Sequence, residues 1–267
     1  MTSIEVTQLV SYPVKSLKGI QTQIMQIEDR GPQFDRNWML VDSRKRFLSQ
    51  RKHPRLCLLK TQVLEEQLLT ISYGAEIIKI PIDSSSANSC EVSIWSDKCT
   101  AFDVGDAAAK YFSNFLGIPC RLVKTGTNFK RPIRLEKKVN NFHEVGFADG
   151  FPFLLVSQES LESLNQHLHA NILMNRFRPN IVIRGSTSFM EDRWKKIKIG
   201  NVIFHLVKSC SRCPMINIDQ ETSKRNKNIL STLGHLRQQK SQIYFGQNMI
   251  HANKGSIVVG DSVEILE

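Results

Sequence analysis

"IKIGNVIFHLV", Ile197 to Val207, holds two β-rich runs around a short "IGN" turn and reads as a hairpin. "GSIVVGDSVEIL", Gly255 to Leu266, repeats the pattern around "VGD" and reads the same way. Between and before them, "FLLVS" (Phe153–Ser157) and "NIVIRG" (Asn180–Gly185) are further strand runs. The N-terminal part adds "IEVTQLVSY" (Ile4–Tyr12), "NWMLVD" (Asn37–Asp42), "LCLLKTQV" (Leu56–Val63), "LLTISY" and "IIKIPI", joined by polar turns. Two segments read as helices. "DAAAKYFSNFLG" starts at a capping Asp106, places Ala108, Tyr111, Phe112 and Phe115 on one face, and stops at Gly117 and Pro119. "SQESLESLNQHLHA" starts at Ser157 and spaces Leu161, Leu164 and Leu168 as a helix does. Many short strands and few helices predict a mainly β, barrel-like α+β architecture rather than a βαβ nucleotide fold. Neither common Gly-rich phosphate loop occurs.

The chain has 267 residues, enough for one large or two ordinary domains with a sizeable core. "SSSANS" (Ser84–Ser89) reads as a surface loop. The basic, aperiodic "KTGTNFKRPIRLEKKVNNFH" (Lys124–His143) reads as an interdomain linker or mobile loop. The expected division is residues 1–120 and 121–267, with the break between 117 and 143. Composition is globular, with 41% apolar and 23% charged residues. A net charge of +11 favours anionic partners. Four of the six cysteines are isolated, the N-terminus resembles neither a signal nor a transit peptide, and no apolar run reaches a membrane span. These features predict a soluble chain in a reducing compartment, the cytoplasm.

The strand ending at Val207 runs directly into "KSCSRCPMINID", which contains a Cys-x-x-Cys pair at Cys210 and Cys213. A structural zinc site needs four N or S ligands, and neither a second such pair nor a His pair follows. A thioredoxin-like pair belongs at a helix start in a βαβ frame, which Pro214 opposes. Two readings remain. In one, a strand-to-loop turn offers a thiolate, favoured by Lys208 and Arg212, as a soft ligand to a transition metal. In the other, the cysteines are two buried structural thiols.

Four further stretches carry candidate anion-holding groups. In "SYPVKSLKG", Lys15, Ser16 and Lys18 follow a strand in a turn, where ammonium, hydroxyl and backbone N–H groups suit a phosphate or simply face solvent. "FDRNWMLVD" and "LSQRKHPRL" set Arg36, Arg51 and Arg55 among apolar strand residues, with Asp35 a possible partner; guanidinium suits planar bidentate contact. "NRFRPNIVIRG" places Arg176, Arg178 and Asn180 at the entry to a strand, and Pro179 predicts an extended Arg178.

Taken in order, "YPVKS", "FDRNWMLV", "FADGFPFLLVSQESLESLN", "RFRPNIVIRG", "FMEDRWKKIKIG", "CSRC" and "YFGQNMI…GSIVVGDSVEIL" resemble the MOSC-domain proteins over nearly the whole chain. Within that family the resemblance is to bacterial YcbX-type N-hydroxyl reductases and the mitochondrial amidoxime-reducing component. It implies an N-terminal MOSC β-rich domain packed on a C-terminal MOSC β-barrel domain, with a molybdenum cofactor between them. It implies that Cys213 is the metal ligand and catalytic residue. The cofactor-binding set it implies is Lys15, Ser16, Arg36, Arg51, Arg178, Asn180, Ser211 and Arg212. Phe151 stands where some members have a hydroxyl residue. The implied activity is two-electron reduction of N-hydroxylated compounds: hydroxylamines, amidoximes and N-hydroxylated bases, a detoxification chemistry.

Asp149, Glu191 and Asp192 are the acids nearest these motifs. No C-x₄-C-x₂-C cluster is present, so no iron–sulfur cluster is expected in this chain. Electrons are then expected from a separate flavin reductase or ferredoxin-type protein. The competing readings are a non-catalytic module that carries the cofactor or sulfur, and a polyanion-binding β-domain. The second is disfavoured because no stacking set of aromatics accompanies the arginines.

Overall fold

The computed structural model describes residues 3–83, 88–126, 129–135 and 144–267. The N-terminal strands are β1 (Glu5–Ser11), β2 (Ile20–Thr22), β3 (Ile24–Glu28), β4 (Gly31–Pro32), β5 (Trp38–Val41), β6 (Lys60–Leu64), β7 (Leu68–Tyr73), β8 (Glu76–Pro81), β9 (Ser89–Ile94) and β10 (Asp97–Asp103). After helix α1 (Asp106–Leu116) come β11 (Arg121–Lys124), β12 (Phe153–Ser157), helix α2 (Gln158–Leu168), β13 (Ile181–Arg184), β14 (Lys196–Ile199) and β15 (Val202–Ser211). Helix α3 (Asn228–Arg237), β16 (Gln238–Gln239), β17 (Gln242–His251), β18 (Gly255–Val258) and β19 (Val263–Ile265) complete the order. The fold is mainly β with three α-helices among the described residues.

The large sheet runs β19-β14-β15-β17-β12-β13-β1-β2. It closes on itself where the start of β1 meets the chain before β19. Val263 N–H donates to Ile4 O at 2.8 Å, Val6 N–H to Asp261 O at 2.9 Å and Gly260 N–H to Val6 O at 2.8 Å. Closure removes the free edges that an open sheet would expose. The barrel interior is apolar: Leu9, Phe153, Leu155, Ile181, Ile183, Ile197, Phe204 and Met249 belong to one buried cluster. Alternation assigns the other face. Leu154 and Val156 of β12 and Val182 of β13 point outward and are covered by α2 and α3 through Leu161, Leu164, Ile229 and Leu233. Buried on both faces, these strands read as unbroken apolar runs.

Two smaller sheets, β5-β11-β10-β9 and β6-β7-β8, form the N-terminal body around α1. Ala108, Phe112 and Phe115 of α1 are buried against Leu40, Leu56, Leu69 and Leu122, as the helical spacing predicts, while Tyr111 is half-buried. The sheets exchange strands between the two halves of the chain. β1 belongs to the barrel, β3 pairs with β18, and β11 pairs with β5 and β10.

Several local expectations are corrected. "GSIVVGDSVEIL" is not a hairpin: β18 pairs with β3 and β19 with β14, so the "VGD" turn carries the chain from one sheet to another. The start of "LCLLKTQV" lies in a 3₁₀ helix, Pro54–Leu58, initiated by Pro54, and the strand begins only at Lys60. Gly105, not Asp106, is the N-cap of α1, and Asp106 instead pairs with Arg121 at 2.9 Å. Ser157 does cap α2, accepting from Ser160 N–H. Of "SSSANS", residues 84–87 lie outside the described residues, and Ser89 opens β9. Of the stretch expected to be a linker or mobile loop, residues 127, 128 and 136–143 lie outside the described residues. Its described part is packed: Phe129 and Arg131 are buried. Helix α3 and the β9–β10 hairpin were not predicted.

Candidate functional site

The turn after β1, the turn before β5, and the segment from the 3₁₀ helix Met174–Arg176 into β13 meet around Tyr12. The Arg36 and Arg178 guanidinium groups lie 4.3 and 4.2 Å from its ring centroid. Its hydroxyl donates to Pro179 O at 3.1 Å. Burial pushes the phenol up to about 12 against the pull of the two arginines, so it stays neutral. Arg36 Nη1 reaches both Asp35 oxygens, at 2.7 and 2.6 Å, and Asn180 Oδ1 at 3.3 Å. Asn180 Nδ2 donates to Val10 O and to Asp35 Oδ1, both at 3.1 Å, tying the β1 side of the cradle to β13. Arg178 Nη1 donates to Leu17 O at 2.6 Å, and burial lowers this guanidinium to about 10.

Ser16, Arg36 and Arg178 all have positive φ, at 70°, 49° and 55°. Arg178 is therefore left-handed rather than extended; its buried contacts outweigh the local preference set by Pro179. Non-glycine residues held this way are uncommon, and three in one cradle mark a place where tertiary contacts dictate backbone shape.

Beside the cradle is a solvent-open cleft of about 720 Å³. Lys15, Arg36, Arg51, Arg178 and Arg212 line it, and Asp149 is the one carboxylate in its wall. Lys15 Nζ donates to Phe147 O at 2.7 Å and to Asp149 Oδ1 at 2.6 Å. Burial lowers the Lys15 ammonium, and Asp149 partly restores it. Desolvation would raise the Asp149 carboxyl, but attraction and a hydrogen bond from Lys15, with help from Arg51 and Trp95, hold it well below the usual carboxylate range. Buried Arg131 fixes this wall: its guanidinium donates to the carbonyls of Gly146, Ala148 and Asp149 and to the Asp97 carboxylate.

The Cys-x-x-Cys turn hangs from the end of β15. β17 bulges against β15 where Phe245 and Gly246 together face Cys210, between the pairs Ser209–Gln247 and Ser211–Tyr244, and Gly246 has φ +77°. Arg212 N–H donates to Ile243 O at 2.7 Å, and its Nε and Nη1 reach Phe245 O and Phe177 O, both at 2.9 Å. Its Nη2 is buried without a hydrogen-bond partner. Arg51 Nη1 lies 3.5 Å from Cys213 Sγ. Cys210 lines the cleft, and burial pushes its thiol up.

Of the residues singled out in the sequence, Lys15, Ser16, Arg36, Arg51, Arg178, Asn180 and Arg212 converge on the cleft. Cys213, half-buried, joins them through Arg51. Ser211, exposed at the end of β15, is not among the lining residues. Arg55 is elsewhere, over the Phe115 ring at 4.6 Å. Glu191 is buried against Ser157 and Ser160, and Asp192 is held by Gln247 and Arg237, so of the three acids only Asp149 faces the cleft. Sequence reading did not single out Tyr12, Trp95, Arg131 or Asn248: Tyr12 and Asn248 stand inside quoted motifs and Arg131 inside the expected linker, but nothing in their local sequence marks them as facing the site. Among the described residues no three of His, Cys, Asp and Glu cluster to hold a metal.

Residues 3–119 match the MOSC N-terminal beta barrel domain and residues 143–264 the MOSC domain. The chain is 31% identical to mitochondrial amidoxime-reducing component 1 of Homo sapiens, over 98% of this chain and 82% of that protein. Against the Mus musculus protein of the same name identity is 32%, with the same coverage. It is 29% identical to molybdenum cofactor sulfurase of Bos taurus over 93% of this chain, and spans 30% of that protein's length. The chain belongs to the MOSC-domain family.

Proposed function

We propose that this chain is a molybdenum cofactor-dependent reductase of N-hydroxylated compounds. The observation that carries the reading is the cleft: five cations surround it against one carboxylate, beside a cysteine that accepts from Arg51. The donor set fits a phosphate-bearing pterin. Lysine and arginine bind oxygen anions and have no lone pair with which to compete for a metal. The orphaned Nη2 of Arg212 is a buried donor in want of an acceptor, which a ligand in the cleft would supply. Cys213 would be the protein's ligand to the metal, with Lys15, Ser16, Arg36, Arg51, Arg178, Asn180 and Arg212 holding the rest of the group. Ser211 is assigned to the same turn by family resemblance. The cofactor would supply two-electron chemistry in which an N–OH group plus two electrons and two protons gives N–H and water.

The chain's own residues hold and orient. The Arg36–Asp35–Asn180 network and the Tyr12 stack lock the cradle, and Asp149 holds the Lys15 side chain in place beside the cleft. In this reading the electrons come from a separate flavin reductase or ferredoxin-type protein. The six free thiols support a reducing, cytoplasmic setting. No described helix is long and apolar enough to cross a membrane.

The test is molybdenum per chain, measured by elemental mass spectrometry on protein from a host that makes the cofactor, with donor-driven reduction of an amidoxime beside it. Near-stoichiometric metal that falls at least about tenfold in Cys213→Ala is expected, since losing even an outer partner of a metal ligand costs roughly 10–100-fold in metal affinity. A full load in the variant overturns the ligand assignment. The similarity to sulfurases favours a second reading, a module that carries the cofactor or sulfur without turnover. Metal without donor-dependent reduction of any N-hydroxylated compound selects it.

A further inference from the structure

A second recess of about 620 Å³ adjoins the cofactor cleft and shares Asp149, Gly150 and Phe151 with it. Trp95, Arg131, Arg134 and Lys208 also line it. Trp95 occupies the tip of the β9–β10 hairpin with φ +54° and is 53% exposed. A half-exposed indole gains little from burial, yet this one is fixed three ways. Phe47 packs edge-on at 5.1 Å, the Arg51 guanidinium lies 4.4 Å from the ring centroid, and Nε1 donates to Asp149 at 3.1 Å. Arg51 also reaches Cys213, and Asp149 also holds Lys15, so the indole is braced by residues of the cofactor cleft itself.

The cations of this recess are not equivalent. Arg131 is consumed by four acceptors, and Arg134 is paired with Asp97 at 2.6 Å. Lys208, exposed on β15 two residues before Cys210, has no ion-pair or hydrogen-bond partner for its ammonium among the described residues. A rigid aromatic wall and a lysine without a partner among the described residues, beside the cleft, are the parts of a subsite for a flat ring bearing a negative charge.

We propose that this recess is the substrate's ring subsite: it seats the aromatic or heteroaromatic part of an N-hydroxylated substrate against Trp95 and favours an anionic substituent through Lys208. The proposal rests on the reductase reading and adds the selectivity of that site.

Three probes separate its parts: benzamidoxime, its 4-carboxylate, and acetamidoxime, which has no ring. Each is assayed for kcat/KM with the wild-type holoenzyme, Lys208→Glu and Trp95→Leu, with molybdenum content measured in every sample. In Lys208→Glu the carboxylate-to-neutral ratio for the two aromatic probes should fall ~10-fold, as a reversed charge discriminates against a like-charged ligand. In Trp95→Leu both aromatic probes should fall ~10-fold relative to acetamidoxime, the size expected for a lost ring stack. Ratios unchanged in both variants overturn the subsite. A second readout does not need turnover: equilibrium dialysis of the 4-carboxylate against the same proteins. Binding weakened by each variant supports the subsite even if no probe is reduced, an outcome that removes the reductase reading alone. Equal binding by all three proteins removes the subsite whatever the activity.

Discussion

Arg178 shows how one side chain joins the two halves of the molecule. It sits in a left-handed conformation before a proline, with its charge buried, bonded to Leu17 O and stacked on Tyr12. Such an arrangement persists only where surrounding contacts over-determine it. Arg178→Lys keeps the charge and loses the planar stack and fork, worth ~1 kcal/mol at a desolvated site. Pterin retained after extensive dialysis should fall about fivefold, the factor that corresponds to such a loss. Retention equal to wild type would remove Arg178 from the cofactor cradle. The motif "NRFRPN" displays the arginine in the sequence, but Tyr12, its stacking partner, lies 166 positions earlier and belongs to no motif with it.

Two elements hinge on a detail of an end or a bend. At the start of α2, Glu191 accepts from Ser157 N–H at 3.3 Å, Ser157 Oγ at 3.1 Å and Ser160 Oγ at 2.9 Å while fully buried. Burial raises its carboxyl above the usual 4.5 despite these bonds. The folded state therefore holds this proton to higher pH than the unfolded chain. Its contribution to stability is complete below 4.5 and is lost as pH rises through the folded value. Glu191→Gln, which cannot ionise, should be more stable than wild type at pH 8 and lose that advantage towards pH 4. Parallel stability curves from denaturant titration would contradict this. Glu191→Ala instead strands the serine hydroxyls and should cost about 1–3 kcal/mol.

The second hinge is Gly246 in β17. A Cβ there would sit 2.6 Å from Leu155 O, and φ is +77°. Gly246→Ala should cost at least about 1–3 kcal/mol for the backbone conformation alone. Because this residue lies in the β17 bulge that faces Cys210 at the launch of the Cys210–Cys213 turn, molybdenum content should fall with it. Unchanged denaturation and metal load would show that the bulge tolerates a side chain.

The molecule as a whole is interlaced. β1, with β2 beside it, closes a barrel whose other strands lie after residue 150, β3 pairs with β18, and β11 returns to the N-terminal sheet. A fragment of residues 121–267 would expose the edge of β13 and the interior positions that Val6, Leu9, Met25 and Ile27 fill. Expressed alone, it should lack a cooperative unfolding transition in denaturant, and co-expression with residues 1–120 should restore one. A cooperative transition in the lone fragment would show that β1 is dispensable to the barrel.

The local chemistry of the chain was enough to predict a mainly β fold, the apolar face of α1 and a second helix starting at Ser157; that the scattered cations belong to one site was implied only by the family resemblance, because each stretch by itself reads equally as a solvated turn. Periodicity, capping and residue type act within a few positions, so they are visible in the sequence. Pairing is not local. "GSIVVGDSVEIL" has the pattern of a hairpin, yet its two strands serve different sheets, because the partners that bury them lie in β3 and β14. The left-handed turns at Ser16, Arg36 and Arg178, the bracing of Trp95, and the burial of Arg131 inside a stretch that reads as a linker all depend on contacts across dozens to more than a hundred residues. Residue type supplied the ingredients of the site; only tertiary packing decided which of them meet, and in what conformation each is held.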